Sequence, residues 1–356
     1  VAFFALGRRR KNWQRGLPTY LLSGERIIVH EREIWIMREF KLDFTGIGMA
    51  KAGTSWIASC LEDHPSICMA SGKETNFFLR KHFSSSLPFR PTYYLTAHYN
   101  EGLEWYVRKF SHHQPGQLYG EFSNAYIADP ESASLLHAHN PGVKLLCCFR
   151  NPADTAYAGY FQLSRVQPLP DTVEEFLARY PALLEYGRYY HNLQPFLKLF
   201  PRERFHLMLF DDIQKDPVAF YRGICEFLEI DSSFVPETVS RRVNSRTVLR
   251  SRLLRNVRCA IGDVLASTAA TRMVRGGLVR LGAARLAHKV IRLNEKPGKG
   301  PPMALETRRR LVEFFRKDNE LLEKFLDRDL SHWNECRNGG ALSESRLYAG
   351  AERSLS

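Results

Sequence analysis

The segment GIGMAKAGTS, residues 46 to 55, holds the residue types and spacing most suited to chemistry. An apolar run that ends in glycines and opens into helical spacing presents backbone N–H groups and the positive end of a helix to an anion. Gly48 and Gly53 keep the spacing of the nucleotide-triphosphatase loop GxxxxGK[ST], but Thr54 stands where that loop carries its lysine. The lysine is Lys51, inside the loop. A compact ammonium there lies beside the terminal group of a bound nucleotide and can neutralise a bridging or leaving oxygen. A second candidate, Arg150, follows the apolar run VKLLCCF and precedes Asn-Pro. Its guanidinium should emerge at the carboxyl edge of a buried strand, where open α/β sheets bind ligands, and there it can grip a phosphate with two parallel hydrogen bonds.

The elements that must position these groups follow from periodicity. LDFTGIGM (42–49) reads as a strand entering a loop, and TSWIASCLED has helical spacing that stops at His64-Pro65. Ser66 to Met69, QLYGEF (117–122), VKLLCCF (143–149) and RFHLMLF (204–210) read as further strands. Helical patterns alternate with them in PESASLLHAH, PADTAYAGYFQLS, VEEFLARY, YYHNLQPFLKLF and DPVAFYRGICEFLEI. From Ser232 to Met303 the periodicity weakens, before a last helix in LETRRRLVEFFRKDNELLEKFLD. The expected fold is α/β: a central parallel sheet flanked by helices on both faces, in a P-loop-like three-layer arrangement. No repeat at solenoid periods interrupts it. The expected organisation is an extension over 1–40, one domain over 41–335 that includes the irregular basic segment 232–303, and a loose tail over 336–356.

The chain of 356 residues, 44% hydrophobic and 25% charged, has ordinary globular composition, which excludes a disordered or fibrous class. Its net charge of +13 is concentrated. Between Arg241 and Arg292, 13 Arg and Lys face the single acid Asp263, a local excess of +12. That stretch reads either as a solvated helical face or as a surface for a nucleotide or acidic acceptor. It has no reader motif and few interleaved aromatics, so nucleic acid is not an expected partner. Seven cysteines form no CxxC pair or framework, which suits reduced thiols and a cytoplasmic location. The N-terminal VAFFALGRRRKNWQRG is too short to span a bilayer; a peripheral contact through Phe3, Phe4 and the run Arg8 to Lys11 is the membrane alternative to a frayed tail.

Ordered segments between about Asp43 and Trp333 resemble the sulfotransferases that use 3′-phosphoadenosine-5′-phosphosulfate (PAPS), in their heparan-type and bacterial branches. GMAKAGTS resembles their 5′-phosphosulfate loop, GxxKxGTS or GxxKxGTT. LEDHPSICMASGKETNFF resembles the family's helix end with HP followed by KExxFF. LYGEFSNAYI resembles E-x-[ST]-x-x-Y, and CFRNPADTAYAGY resembles the 3′-phosphate segment R-x-P-x-x-R-x-x-S-x-Y. RRVNSRTVLRSRLL and LVEFF…DLSHW resemble the C-terminal pattern of bacterial members.

The resemblance implies PAPS as donor, 3′,5′-ADP as product and no metal. It implies that Lys51, Ala52, Gly53, Thr54 and Ser55 hold the 5′-phosphosulfate, that Lys51 contacts the oxygen between phosphate and sulfate, and that Glu74 takes the acceptor proton. The alternative reading of Glu74 is a surface carboxylate paired with Lys73. Arg150 falls on the 3′-phosphate arginine. Thr155 replaces the second arginine of that segment and Ala158 its phosphate-binding serine, which puts one phosphate contact in doubt. Lys296 and Lys299 in NEKPGKGPP match the family's lysine-rich covering loop, with Arg250 and Arg252 as alternatives. Glu121 and Tyr126 fall in the segment that lines the acceptor side. Phe122 replaces a lysine of the heparan-type branch and reads as core packing, or as a mark against a highly anionic acceptor.

A histidine base, as in the small-molecule branch, would have to be His112 or His113, because His64-Pro65 reads as a helix stop. The expected activity is transfer to a hydroxyl or amine of a glycan, glycolipid or small metabolite. Tyr93, Tyr94, Tyr99, Trp105 and Tyr106 are candidates to stack on a sugar or to pack. Two other classes remain open at this point: a P-loop kinase, and a non-catalytic fold member that binds nucleotide or polyanion.

Overall fold

The protein is described by a computed structural model over residues 19–22, 25–28, 40–80, 97–241, 247–267, 293–298 and 302–336. A short antiparallel ribbon, β1 (Thr19–Leu22) and β2 (Glu25–Ile28), lies in the N-terminal part. The apolar runs then supply a parallel sheet: β3 (Phe44–Gly48), β4 (Ile67–Met69), β5 (Leu118–Phe122), β6 (Lys144–Phe149) and β7 (Phe205–Leu209). Their order is β4-β5-β3-β6-β7, with β3 central. β3 and β4 are buried along their whole length, as the near-continuous apolar runs of a sheet covered on both faces require.

Parallel neighbours need crossovers, and helices provide them. α1 (Thr54–Glu62) follows β3. α2 (Gly102–Val107) lies between β4 and β5, and α3 (Pro130–His139) follows β5. α4 (Pro152–Val166), α5 (Val173–Arg179), α6 (Ala182–Glu185) and α7 (Tyr189–Leu197) separate β6 from β7. α8 (Phe210–Lys215) and α9 (Pro217–Leu228) follow β7. Local sequence starts several of them: Asp129, Asn151, Thr172 and Asp216 accept backbone N–H bonds at the starts of α3, α4, α5 and α9. His64 ends the α1 turn as expected, its Nδ1 accepting from Ser66 N at 3.0 Å and its Nε2 bonding Asp231 O at 3.0 Å.

The weakly periodic segment contains more structure than its pattern suggests. A ribbon of β8 (Thr247–Leu249) with β9 (Glu295–Pro297) pairs antiparallel and packs on α4. Between its strands runs the 16-residue α10 (Arg252–Ser267). This helix turns Arg255 and Cys259 inward and leaves Leu253, Leu254 and Val257 exposed. Arg255 Nη1 donates to Ser164 O at 2.6 Å on α4. The helix does carry an apolar stripe, but Leu253, Leu254 and Val257 on it are exposed while Arg255 is buried. The last helix, α11 (Leu305–Leu326), covers α7, where the Asp318 carboxylate accepts from Tyr190 N and His191 N at 2.9 and 3.0 Å. It thereby caps a helix that has no side-chain cap of its own. No described helix is long and apolar enough to cross a membrane.

Close packing at the centre of the sheet explains two glycines. Phe44 is register partner of Gly120, and Gly46 of Phe122, so each ring lies over a glycine on the neighbouring strand. A Cβ on Gly46 would sit 1.9 Å from Phe122 Cδ1, and one on Gly120 2.0 Å from Phe44 Cζ. Phe122 is therefore a core residue, 1% exposed. Gly46→Ala is expected to lower stability by about 1–3 kcal/mol through overpacking, and Phe122→Leu in the same chain to recover part of that loss. Urea unfolding midpoints of the two variants check it.

Candidate active site

The loops that leave the carboxyl ends of β3, β4, β5 and β6 meet at one edge of the sheet. The β3 loop carries Lys51 at φ 67 and Gly53 at φ 84 before α1 begins. The left-handed conformation of a lysine costs about 1–2 kcal/mol, and such residues persist where the surroundings over-determine them. Arg150, leaving β6, supplies part of that constraint: its Nη1 donates to Lys51 O at 3.1 Å while its guanidinium lies 4.8 Å over the Phe210 ring. Ala52 and Thr54 are buried, and Lys51, Gly53 and Ser55 are half-buried. Unlike α3, α4, α5 and α9, helix α1 has no side-chain cap and no acid in its first turn. Its N-terminal dipole faces a cluster of cations instead of a carboxylate.

The β4 loop brings the second group. Gly72, Glu74 and Asn76 all have positive φ, at 90, 61 and 48. Its backbone N–H groups donate outward and hold the loop in this shape: Ser71 N to Lys109 O at 2.8 Å, Glu74 N to Phe122 O at 2.8 Å, and Asn76 N to the Ser123 side chain at Oγ, 2.9 Å. Glu74 is not a surface carboxylate; it is 6% exposed. Its two oxygens accept from Asn124 N at 2.8 Å and Asn124 Nδ2 at 2.5 Å, and Tyr186 OH in turn donates to Asn124 O at 2.5 Å. Burial raises the Glu74 pKa above the ordinary carboxylate value, opposed by the charge of Lys73 and the bonds from Asn124. Lys73 does face Glu74, 3.6 Å away, but it also donates to Thr54 Oγ1 at 3.0 Å and Ser55 Oγ at 3.2 Å. Lys73 thus joins the carboxylate to the start of α1.

Glu121 and Tyr126 lie one layer deeper than the sequence expectation placed them. Glu121 is 1% and Tyr126 0% exposed. The Glu121 carboxylate accepts from Thr75 Oγ1 at 2.5 Å, Ser123 Oγ at 2.8 Å and Tyr126 OH at 2.7 Å, while Phe78 N donates to Tyr126 OH at 3.2 Å. Every partner belongs to the β4 or β5 loop, so the pair braces the segment that carries Glu74 and does not line an acceptor surface. Tyr106 is likewise a core ring, stacked on Phe77 at 4.4 Å. Tyr93 and Tyr94 lie outside the described residues.

Glu74 opens onto a cleft of ≈ 220 Å³ lined by Ser71, Gly72, Thr75, His98, Trp105 and Lys109. Trp105 is held between the His98 ring, stacked at 4.6 Å, and the Lys109 ammonium, 4.4 Å from its centroid. His112 and His113 are not among its walls. His113 stacks on Tyr119 and bonds Gln117 O, and His112 is exposed beside Ser71. His98, Lys109, Asn124 and Tyr186 went unread in the sequence because no motif marks them; their roles follow from where the loops fold back.

The opposite end of the edge is poorer in donors than expected. Ala158 sits half-buried inside α4, where its N–H belongs to the helix and its methyl offers no hydrogen bond. Thr155 is buried in the same helix. The β8–β9 ribbon that packs on α4 includes Lys296 in β9, while Lys299 lies outside the described residues. Arg250 is exposed, and Arg252 pairs with Asp171.

A sequence profile of the sulfotransferase domain matches residues 43–251, more than half of the chain and all of the loops just described, with Arg252 and Lys296 beyond its end. The chain belongs to the sulfotransferase family. Among its relatives, human heparan sulfate glucosamine 3-O-sulfotransferase 5 is 27% identical over 198 residues, covering 52% of each protein. The bifunctional heparan sulfate N-deacetylase/N-sulfotransferase 1 of Caenorhabditis briggsae is 25% identical over 207 residues, 53% of this chain and 22% of that protein. The chain therefore spans about half the length, or less, of the curated relatives it matches. The crystal structure of a sulfotransferase from Alicyclobacillus acidocaldarius shares its fold, with a TM-score of 0.58 at 24% identity over 83% of this chain and 99% of the other.

If Tyr126 braces the site, Tyr126→Phe should cost roughly 1–3 kcal/mol, since it strands the Phe78 N–H and removes a donor from Glu121. Guanidinium unfolding measures that loss.

Proposed function

We propose that this sulfotransferase moves a sulfuryl group from PAPS to a hydroxyl or amine of a glycan, glycolipid or small metabolite, with Glu74 as general base. The observation that carries the reading is the link from the Glu74 carboxylate through Lys73 to the Thr54 and Ser55 hydroxyls at the uncapped start of α1. A base and an anion cradle are held one ammonium apart.

The residues present fit a phosphosulfate. Around the start of α1 stand Lys51, Lys73 and Arg150, and no acid lies in its first turn. In the proposed reaction the acceptor O–H or N–H gives its proton to Glu74 as the acceptor atom bonds sulfur. The bond from sulfur to the 5′-phosphate oxygen breaks, its electron pair staying on 3′,5′-ADP. Lys51, at the loop's crest, neutralises that oxygen. Asn124 and Tyr186 fix the Glu74 carboxylate so that the acceptor meets it in one orientation. The cleft beside Glu74 is smaller than the roughly 300–1,000 Å³ usual for drug-sized ligands, so it suits one sugar ring or a small metabolite, with a longer acceptor continuing outside. Lys296, on the ribbon beside α4, and Lys299 are proposed to offset the missing hydroxyl at Ala158 on the 3′-phosphate side.

Glu74→Gln and Lys51→Ala should each reduce transfer of labelled sulfate across an acceptor panel by roughly 10²–10⁴-fold. Glu74→Gln should retain its affinity for 3′,5′-ADP in calorimetry. Full transfer in both variants would overturn the assignment. The pH dependence has a definite sign: burial makes Glu74 hold its proton to higher pH than a free glutamate, so it acts as a base only above that point. The rate should rise with pH through a midpoint above the ordinary value of about 4.3, and fall away as pH drops through it. A pH–kcat profile with no acidic limb above that value would exclude Glu74 as the titrating base.

A further inference from the structure

Helix α10 is fixed to the domain by its polar side. Ser251 Oγ accepts from Leu254 N at 3.2 Å at the helix start, and the Asn294 side chain grips Ser251, accepting from its N and donating to its O at 2.9 Å each. Arg255 reaches Ser164 O on α4, and Arg252 pairs with Asp171 ahead of α5. With Arg255 and Cys259 turned inward, the apolar stripe is left outside: Leu253 is 73% exposed, Leu254 44% and Val257 47%. Leu293, next to Asn294 and therefore beside the helix start, is 66% exposed. Leu253, Val257 and Ala260 recur at i, i+4 and i+7, and all three are exposed. The sequence keeps that spacing with Ile261, Val264 and Leu265. Single exposed leucines are ordinary, but a cluster at one helix start marks an interaction surface.

Charge decides what this surface fits. Arg250 and Arg252 are exposed beside the stripe, and in sequence the stretch from Arg241 to Arg292 holds 13 Arg and Lys against Asp263 alone. An apolar stripe set among charges of one sign matches a layer whose hydrocarbon lies just beneath anionic headgroups. α10 has 16 residues and a length of about 24 Å, so it can lie along such a layer without crossing it. Its exposed leucines line neither the cleft beside Glu74 nor the hollow around Asp171 and Glu175, so they offer a bound peptide no groove. A fluid lipid surface needs none. We infer that α10, together with Leu293, docks this protein on an anionic phospholipid surface. Leu253, Val257 and Leu293 enter the headgroup layer, and the neighbouring arginines meet lipid phosphates. The inference stands apart from the PAPS reading of the catalytic edge.

Flotation of the full chain with lipid vesicles tests it. Wild type should float with vesicles of equimolar phosphatidylglycerol and phosphatidylcholine, and stay in solution with phosphatidylcholine alone. The double variant Leu253→Glu with Val257→Glu should bind the mixed vesicles roughly ten- to a hundred-fold more weakly, because it removes two apolar anchors and adds negative charge. Its urea midpoint should match wild type, since both positions are exposed. Leu253→Trp, read against wild type, should gain emission that moves to shorter wavelength when the mixed vesicles are added. Failure of wild type to float with the mixed vesicles, equal binding to both kinds, or no shift from Leu253→Trp would each overturn the inference. A double variant that binds as wild type does would also overturn it and move the lipid contact elsewhere, as to Phe3, Phe4 and the run Arg8 to Lys11. A wild type that binds no vesicle but self-associates, and is dispersed by the double variant in sedimentation, would assign the stripe to a second copy of the chain instead.

Discussion

Keeping the Glu74 carboxylate buried is the constraint on which the site's architecture turns. A lone carboxylate in such a place is expensive, and it is tolerated only when paired and hydrogen-bonded. Asn124 meets both oxygens, Lys73 stands beside one of them, and Tyr186 holds Asn124 from α6's end. Each of those partners fixes something else. Asn124 must follow β5 directly, which needs β5 beside β3. The Glu74 backbone must take a left-handed turn to reach it, and its N–H bonds Phe122 O at the end of β5. A second carboxylate, Glu121, lies beneath the first and is also pushed upward by burial, against the hydroxyls of Thr75, Tyr126 and Ser123. Two acids stacked in the interior repel when ionised. The three hydroxyl donors on the lower one let it serve as a rigid floor while the upper one faces the cleft.

The cations are arranged around the same constraint. α3, α4, α5 and α9 use their own Asp, Asn or Thr to close the N-terminus, whereas α1 is closed by none. Arg150 holds the backbone of the β3 loop and Lys73 holds the first two hydroxyls of α1. The edge thus gathers positive charge at the start of α1 and keeps a carboxylate at Glu74, with one ammonium between them.

Much of this was legible in sequence because the parallel sheet writes itself plainly. The five strand runs and the helices starting at Thr54, Pro130, Pro152 and Pro217 fall where apolar periodicity and capping residues place them. The turn after β3 was legible because its glycine spacing is a backbone requirement, met at Gly53 with φ 84. Depth was not legible. Glu121 and Tyr126 carry polar groups in a motif segment, and only the folded β4 loop reveals that those groups satisfy one another in the interior. Lys73 looked like a plain ion-pair partner because its second attachment, to residues 18 and 19 positions earlier, depends on how two loops meet. α10 shows a different gap: its apolar spacing is present in the sequence, but which face it buries is not, and Arg255 is buried while Leu253, Leu254 and Val257 are exposed.

The proposed donor site is consequently lopsided, and its two ends differ in kind. At the 5′ end every contact comes from loops that the sheet edge holds rigidly, through the bonds at Lys51, Lys73 and Glu74. At the 3′ end, helix α4 offers Thr155 and Ala158, neither of which brings a charge, and Arg150 is already tied to the loop backbone. Positive charge near α4 comes from other elements: Arg308 of α11 pairs with Asp154 at 2.6 Å, Arg255 of α10 donates to Ser164 O, and the β8–β9 ribbon packs on the helix. On this reading the 5′ end sets the chemistry through fixed geometry, and the 3′ end contributes affinity that depends on salt and on how closely the ribbon lies against α4.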